Sequence, residues 1–279
     1  MKIAVTGSNG FIGKNIVNAL VTQGHEIITI DFVDGIDLTS WNQLSNIKEF
    51  DVLIHLAAKL FIPDSYKNPR LFYYTNIICT LHALELCIKH KAKMIYISSY
   101  VYGNPQYLPI DEKHPVKAFN PYAQSKLICE ELCNGYNRDF GIPAIILRPF
   151  NIYGKGQNRN LLISAIISQA KMGEITLKDP RPKRDFIYID DVVNAIIKSI
   201  HYNKSTFEIF NIGSGKSYSV EKIANLIVSM VQNKISVNYS GEERQNEVLD
   251  TIADISKAKA LLQWEPEIEL EEGLKIMIN

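Results

Sequence analysis

Short apolar runs alternate with segments of helical periodicity along the first half of the chain. KIAVTG near the N-terminus and HEIITIDF (25–32) are rich in β-branched residues, and the helix-like NGFIGKNIVNALVTQG (9–24) lies between them. This order predicts a β-α-β unit. Three further continuous apolar runs are typical of parallel strands buried on both faces: DVLIHLAA (51–58), KMIYISS (93–99) and AIILRPFN (144–151).

Helical segments at about 69–91 and 122–140 separate these runs. The alternation predicts an α/β fold, a doubly wound, Rossmann-like parallel sheet over residues 1–150. Beyond residue 150 the pattern is less regular and predicts a smaller, mixed α/β C-terminal lobe over 151–279, which the family resemblance described below implies is mainly the substrate lobe. A segment near 185–213 is a candidate to return to the first domain.

Composition narrows the function classes. The 279 residues are 46% apolar, enough for a substantial core, and the 30 basic and 30 acidic residues cancel. No run of five Lys or Arg occurs, so neither a nucleic acid nor an anionic membrane surface is expected as a partner. No apolar stretch approaches the ~20 residues of a spanning helix, which makes a cytoplasmic location the default expectation.

The four cysteines lack the spacing of a zinc site, and no metal is expected. They are interpreted as reduced packing residues, with a metal or redox pair at Cys129 and Cys133 as the alternative. The other two are Cys79 and Cys87.

The stretch TGSNGFIG contains Gly7, Gly10 and Gly13 between the first strand and the first helix. A dinucleotide site needs a tight turn, close backbone approach to a pyrophosphate, and the N–H groups of a helix N-terminus. Asp31 follows the last glycine by 18 residues, where a carboxylate can accept hydrogen bonds from a ribose. The combination predicts a dinucleotide cofactor.

An aspartate at position 31 would repel a ribose 2′-phosphate, so NAD is favoured over NADP. NADP remains the alternative, because a Lys or Arg elsewhere in the fold could reach the phosphate. Asp37 is predicted to contact the adenine, and a helix cap would look the same in sequence. The predicted cofactor-binding residues are Gly7, Asn9, Gly10, Phe11, Ile12, Gly13, Asp31, Asp37, Leu38, Leu56, Ala57, Ala58, Tyr122 and Lys126.

The stretch NPYAQSK (120–126) places Tyr122 and Lys126 one turn apart on a helix face. A free phenol has a pKa near ~10, and a neighbouring ammonium stabilises the phenolate, so that the pair could exchange protons at neutral pH. The alternative is that Tyr122 packs in the core and Lys126 extends to water.

The glycine turn, HLAA, SSYVYG and PYAQSK together resemble the extended short-chain dehydrogenase/reductase family, in its nucleotide-sugar epimerase/dehydratase branch. The later pieces LRPFNIYG, RDFIYIDD, FNIGSG and ERQNEVLDTIADISKA occur in the same order there. The resemblance implies that Tyr122 and Lys126 are the catalytic pair and that Ser98 binds the reacting oxygen. Ser99 is its neighbour and the alternative for that role.

The same resemblance implies a nucleotide-sugar substrate, whose pyrophosphate would be held by Asn151, Arg184 and Arg244. Guanidinium groups bind phosphates through charge-assisted, bidentate hydrogen bonds. Read without the resemblance, the two arginines would be solvated surface residues. Ser98 and Ser99 complete the predicted substrate-binding set.

Two departures from the family pattern bear on the reaction. Dehydratases of this branch carry an Asp and a Glu where this chain has Ser99 and Tyr100, so dehydration is disfavoured. Only 19 residues separate Asp31 from Asp51, which leaves no room for the adenine-side insert common in sugar 4-epimerases. The sequence therefore favours a reductase of 4-keto-6-deoxy nucleotide hexoses over a 4-epimerase.

A dinucleotide-binding module without catalysis is the third alternative, and the complete Ser98, Tyr122 and Lys126 set argues against it. The resemblance also implies a homodimer, assembled through the helices at about 76–91 and 122–140.

Overall fold

The computed structural model describes residues 1–231, 235–243 and 247–279. Its main sheet has six strands, all parallel. The strands of such a sheet are covered on both faces, which agrees with the continuous apolar runs of the sequence. The strands within the described residues are β1 (Lys2–Thr6), β2 (Glu26–Ile30), β3 (Val52–His55), β4 (Lys93–Ile97), β5 (Ala144–Pro149), β6 (Asn151–Tyr153), β7 (Glu174–Leu177), β8 (Lys183–Tyr188), β9 (Phe207–Ile212), β10 (Ser217–Ser219) and β11 (Ser236–Tyr239).

The strand order of the main sheet is β2-β1-β3-β4-β5-β9. The chain first moves from β1 to β2 and then crosses back to β3, so the order reverses between β1 and β3. In open α/β sheets, ligands bind at the carboxyl ends of the strands beside such a reversal. The helices are α1 (Phe11–Thr22), α2 (Trp41–Leu44), α3 (Ile62–Lys67), α4 (Pro69–His90), α5 (Pro121–Phe140), α6 (Leu162–Met172), α7 (Ile189–His201), α8 (Val220–Met230) and α9 (Leu270–Ile278).

Helices cover both faces of the main sheet, which confirms the doubly wound α/β prediction. α1 and α7 pack on one face, and α4 and α5 pack on the other. Apolar side chains from alternate strand positions enter separate clusters, so that Ile3 and Val5 face α1 whereas Ala4 faces α4. The core is therefore divided into two layers by the sheet.

The region after residue 150 forms a three-stranded sheet, β10-β8-β6, and a parallel pair, β11-β7. Its apolar residues join the cluster beneath α1 and α7, so the two regions share one hydrophobic core. Within the segment 185–213, α7 and β9 pack with the main sheet, whereas β8 pairs with β6 and β10. The domain division at residue 150 stays a prediction.

Although polar residues interrupt its apolar sequence, helix α4 (Pro69–His90) is on average long and apolar enough to cross a membrane by length and composition, and no other described helix meets both criteria. It packs against α5 and the main sheet, and 44% of its most apolar window is buried in the protein. One face of α4 is thus buried in the protein core, and the opposite face is left exposed to solvent in the single chain.

Candidate active site

The glycine turn after β1 is closely packed against neighbouring backbone. Gly7 has a φ of +69°, and a Cβ there would lie 2.8 Å from the Ala57 nitrogen. A Cβ on Gly13 would lie 2.2 Å from the Gly7 oxygen. Both positions therefore require glycine, because a side chain would push α1 or the end of β3 out of place.

This turn fits a pyrophosphate. Helix α1 begins at Phe11 after Gly10, and no side chain in the described chain caps its N–H groups. The buried hydroxyl of Ser8 also has no hydrogen-bond partner among the described residues. Unpaired donors at a helix N-terminus form a ready anion site, so the chain could hold the diphosphate of a dinucleotide here.

Two carboxylates lie beside the glycine turn, where the sequence predicts a ribose contact. Asp31 accepts hydrogen bonds from the backbone nitrogens of Asn9 and Val33, each at 2.9 Å. The Asn9 side chain donates to Asp34 at 2.9 Å, so a second carboxylate lies beside the first. Asp34 was not among the residues predicted from the sequence.

The predicted adenine side is less defined. Asp37 accepts hydrogen bonds from the Thr39 nitrogen and hydroxyl at 2.9 and 2.7 Å, which are the bonds of a capped turn. Its adenine contact stays a prediction. The Thr6 hydroxyl accepts hydrogen bonds from the nitrogens of Leu56 and Ala57 and fixes the chain after β3. The remaining predicted contacts lie beside these groups: Leu38 next to Asp37, Ala58 next to Ala57, and Phe11 and Ile12 in the first turn of α1.

Tyr122 and Lys126 lie in the first two turns of α5, which Asn120 caps through the Ala123 nitrogen. Lys126 is 2% exposed, and its ammonium donates to the Ile97 carbonyl at 2.7 Å. Burial lowers the pKa of Lys126 to about 8. Burial raises the pKa of Tyr122, and a hydrogen bond with the Ser99 side chain acts in the opposite direction.

The two serines at the end of β4 have different partners. Ser98 is buried, and its hydroxyl donates to Glu130 at 2.5 Å. Ser99 is the serine that hydrogen-bonds to Tyr122. The geometry thus favours Ser99, the alternative, over Ser98 as the hydroxyl beside the phenol, and the catalytic role of either serine stays a prediction.

Arg184 on β8 donates to the carbonyls of Lys183 and Val248, at 2.7 and 2.5 Å, and forms an ion pair with Glu247. Its charge reaches the phenol of Tyr100, which follows Ser99 in the chain. The Tyr100 hydroxyl itself donates to the Gly103 carbonyl at 2.6 Å.

Asn151 on β6 lies on the strand next to Arg184, and its side chain donates to the Asp185 carbonyl at 3.2 Å. The structure thus brings Asn151 and Arg184 onto adjacent strands. Arg244 lies outside the described residues. Pyrophosphate binding by all three stays a prediction.

Within the described residues, no group of three or more His, Cys, Asp or Glu side chains could hold a metal ion. Cys79, Cys87, Cys129 and Cys133 are free and buried, and burial raises the pKa of each thiol. Reactive thiols need a lowered pKa, so this environment fits packing residues.

A family model for the NAD dependent epimerase/dehydratase family matches residues 3–213. The chain belongs to this family. It is therefore an NAD-dependent enzyme of the extended short-chain dehydrogenase/reductase type, which confirms the predicted resemblance.

Three known proteins illustrate the similarity. A UDP-glucuronate 4-epimerase of Thermodesulfobacterium geofontis is 31% identical over 99% of this chain and 94% of its own length. The structure of a UDP-glucose 4-epimerase from Thermotoga maritima with UDP-glucose has a TM-score of 0.93 and 28% identity, covering 100% of this chain and 97% of that one. RMD from Pseudomonas aeruginosa, complexed with NADPH, has a TM-score of 0.91 and 26% identity, covering 99% and 97%.

Proposed function

We propose that this family member is a nucleotide-sugar 4-epimerase that acts on a uridine diphosphate hexose and retains NAD. The observation that carries the proposal is the phenol of Tyr122, with Ser99 beside it and Lys126 one turn away. Full-length similarity to 4-epimerases of two different UDP-sugars supports the substrate class. It favours epimerisation over the reductase that the sequence pattern put first.

When bound, NAD would supply the redox chemistry by accepting a hydride from the sugar carbon and returning it. Tyr122 takes the proton of the C4 hydroxyl as that carbon is oxidised, and gives it back when the ketone is reduced. Between the two steps Tyr122 carries that proton as a neutral phenol. The Lys126 ammonium stabilises the phenolate that is present before the proton is taken and after it is returned. Ser99 donates a hydrogen bond to the reacting oxygen and holds it against the phenol.

Arg184 and Asn151 would hold the substrate's pyrophosphate, with Arg244 as the third predicted contact. A bidentate guanidinium contact distant from the reacting carbon orients the sugar without taking part in proton transfer. Tyr100 follows Ser99 in the chain and is within reach of the Arg184 charge, so it would line the part of the site occupied by the hexose.

Reduction of a 4-keto-6-deoxy nucleotide hexose is the second candidate. The 19-residue connection between Asp31 and Asp51 favours it, because a short adenine-side wrap suits a cofactor that is exchanged in every turnover. The similarity to a protein complexed with NADPH agrees with an exchangeable reduced cofactor.

We also propose a two-fold homodimer. Leu71, Tyr74, Ile78 and Leu81 have the 3-4-3 spacing of one helix face on α4, and Leu71 and Tyr74 are 41% and 56% exposed. None of the four belongs to the two large core clusters. A second copy of the chain would cover this face. The cytoplasmic location stays a prediction.

The reaction is tested with purified protein, catalytic NAD and UDP-glucose or UDP-glucuronate, with the sugar nucleotides separated by chromatography. The proposal expects conversion to the 4-epimer without net consumption of NADH. Stoichiometric consumption of NADH or NADPH on a 4-keto-6-deoxy nucleotide sugar, with no epimerisation, would instead establish the reductase. The Tyr122→Phe variant is the matched control for contaminating activity.

A further inference from the structure

A buried ion pair lies directly behind the strand end that carries the two serines. Glu130 of α5 and Arg148 of β5 are 3% and 4% exposed, and Arg148 Nη2 lies 2.6 Å from Glu130 Oε2. Arg148 Nε donates to Glu130 Oε1 at 3.0 Å, and the Ser98 hydroxyl donates to the same oxygen at 2.5 Å. The carboxylate therefore accepts hydrogen bonds from both the arginine and the strand end.

The pair continues into a chain of buried hydrogen bonds. Arg148 Nη1 donates to the Tyr102 hydroxyl at 3.0 Å, and Tyr102 donates to Asn211 at 2.6 Å. The Asn211 amide then donates to the Ile110 carbonyl at 2.9 Å. The segment that follows β4 is thus anchored to β5 and β9.

Three successive turns of α5 bind three successive residues at the end of β4. Tyr122 hydrogen-bonds to Ser99, the Lys126 ammonium donates to the carbonyl of Ile97, and Glu130 accepts from Ser98. Ser98 and Ser99 are adjacent in the chain, so the hydrogen bond that fixes Ser98 to Glu130 also restricts the position of Ser99 beside the phenol.

Glu130 also acts on Lys126 through its charge, because the two residues are four positions apart on one helix. The Glu130 carboxylate raises the pKa of Lys126 and opposes the lowering caused by burial. Other titratable or charged groups facing the pair are Cys129 and Cys133 on α5, Tyr96 on β4, His55 on β3, Arg148 on β5 and Tyr102 after β4.

Resting on the proposed function, we propose that Glu130 is a positioning residue for the reaction. It holds Ser98 so that Ser99 stays against Tyr122, and it places a negative charge one turn from Lys126. Stability alone does not require such a pair, because replacing a buried ion pair by apolar groups of similar volume is often neutral or stabilising.

Changing Glu130 alone leaves Arg148 as an unpaired buried charge and can unfold the chain. The test variant therefore combines Glu130→Gln with Arg148→Met, which removes both charges and keeps the volume. It is compared with Ser98→Ala, which removes only the hydrogen bond to the strand end. Ile227→Ala, in the core of the C-terminal region, serves as a control for lost stability.

With NAD bound, the double variant should melt near the wild-type temperature and keep its KM, while kcat falls ~10-fold or more. The pKa of Lys126, followed by NMR of its side-chain nitrogen, should fall, and the alkaline limb of kcat should move to lower pH with it. Ser98→Ala should lower kcat without shifting that limb, and Ile227→Ala should lower only the melting temperature.

In a stable double variant, either wild-type kcat or an unchanged Lys126 titration would overturn the positioning role. The Lys126 titration is independent of turnover. A wild-type protein that turns over no nucleotide sugar would refute the proposed function, whereas an unchanged titration would refute this inference.

Discussion

The Asp31 carboxylate accepts the backbone N–H of Asn9 at 2.9 Å, which ties the end of β2 to the glycine turn after β1. The same Asn9 donates to Asp34 through its side chain, so two carboxylates lie beside the glycine turn. Carboxylates there accept hydrogen bonds from ribose hydroxyls and repel a 2′-phosphate.

We expect the protein to bind NAD more tightly than NADP, and we expect Asp31→Ala to bring the two affinities closer together. Calorimetric titration of both cofactors measures the ratio. Asp139→Ala removes an exposed carboxylate at the far end of α5 and should leave the ratio unchanged. Tighter binding of NADP by the wild type would contradict the assignment.

Tyr122→Phe should reduce kcat by at least ~10²-fold, the lower range for a positioned acid/base group, while folding and NAD binding persist. The reason is that the phenol is the proposed proton carrier. Tyr136→Phe is the matched control, since Tyr136 lies on the same helix and hydrogen-bonds to Glu85 instead. If the Tyr122 variant retained most of the wild-type turnover, the proposed mechanism would be wrong.

The rate should depend on pH through Lys126, whose pKa burial lowers to about 8. The protonated form stabilises the phenolate, so kcat should fall as the pH rises through about 8. In Lys126→Arg the guanidinium stays protonated, and this alkaline limb should disappear even though the variant is slower. If kcat of the arginine variant still fell as the pH rose through about 8, the titrating group would not be Lys126.

Arg184→Ala should weaken nucleotide-sugar binding by roughly 10- to 150-fold, the cost of about 1.5–3 kcal/mol for a lost charged hydrogen bond. Binding of a free sugar that lacks phosphates should be compared in the same variant, because Arg184→Ala should weaken binding of the nucleotide sugar only. Arg181→Ala is the control, as Arg181 is exposed and paired with Asp179 and Glu243. If Arg184→Ala weakened binding of the nucleotide sugar and the free sugar equally, Arg184 would not bind the pyrophosphate and would act only in the structure of the site.

Light scattering at micromolar concentration should give a dimer, and Leu81→Glu should give a folded monomer, because it places a charge in the proposed apolar interface. Met172→Glu is the control on an exposed residue at the end of α6. A wild-type monomer, or a Leu81 variant that remains dimeric, would exclude this face as the interface.

The sequence by itself determined the order and type of the main elements. The run KIAVTG and the helical pattern after it predict β1 and α1, and NPYAQSK predicts the start of α5 near residue 121. The predicted helices at 69–91 and 122–140 are confirmed as Pro69–His90 and Pro121–Phe140. Periodicity, caps and glycine turns are local signals, and local backbone preference is enough to read them.

Only the tertiary structure decided which side chains meet. The family resemblance put Ser98 ahead of Ser99, whereas packing against α5 pairs Ser98 with Glu130 and Ser99 with Tyr122. Glu130 and Arg148 lie on different elements, and no spacing rule links them. Such contacts depend on how helices and strands pack over long distances along the chain, and local patterns do not record that packing.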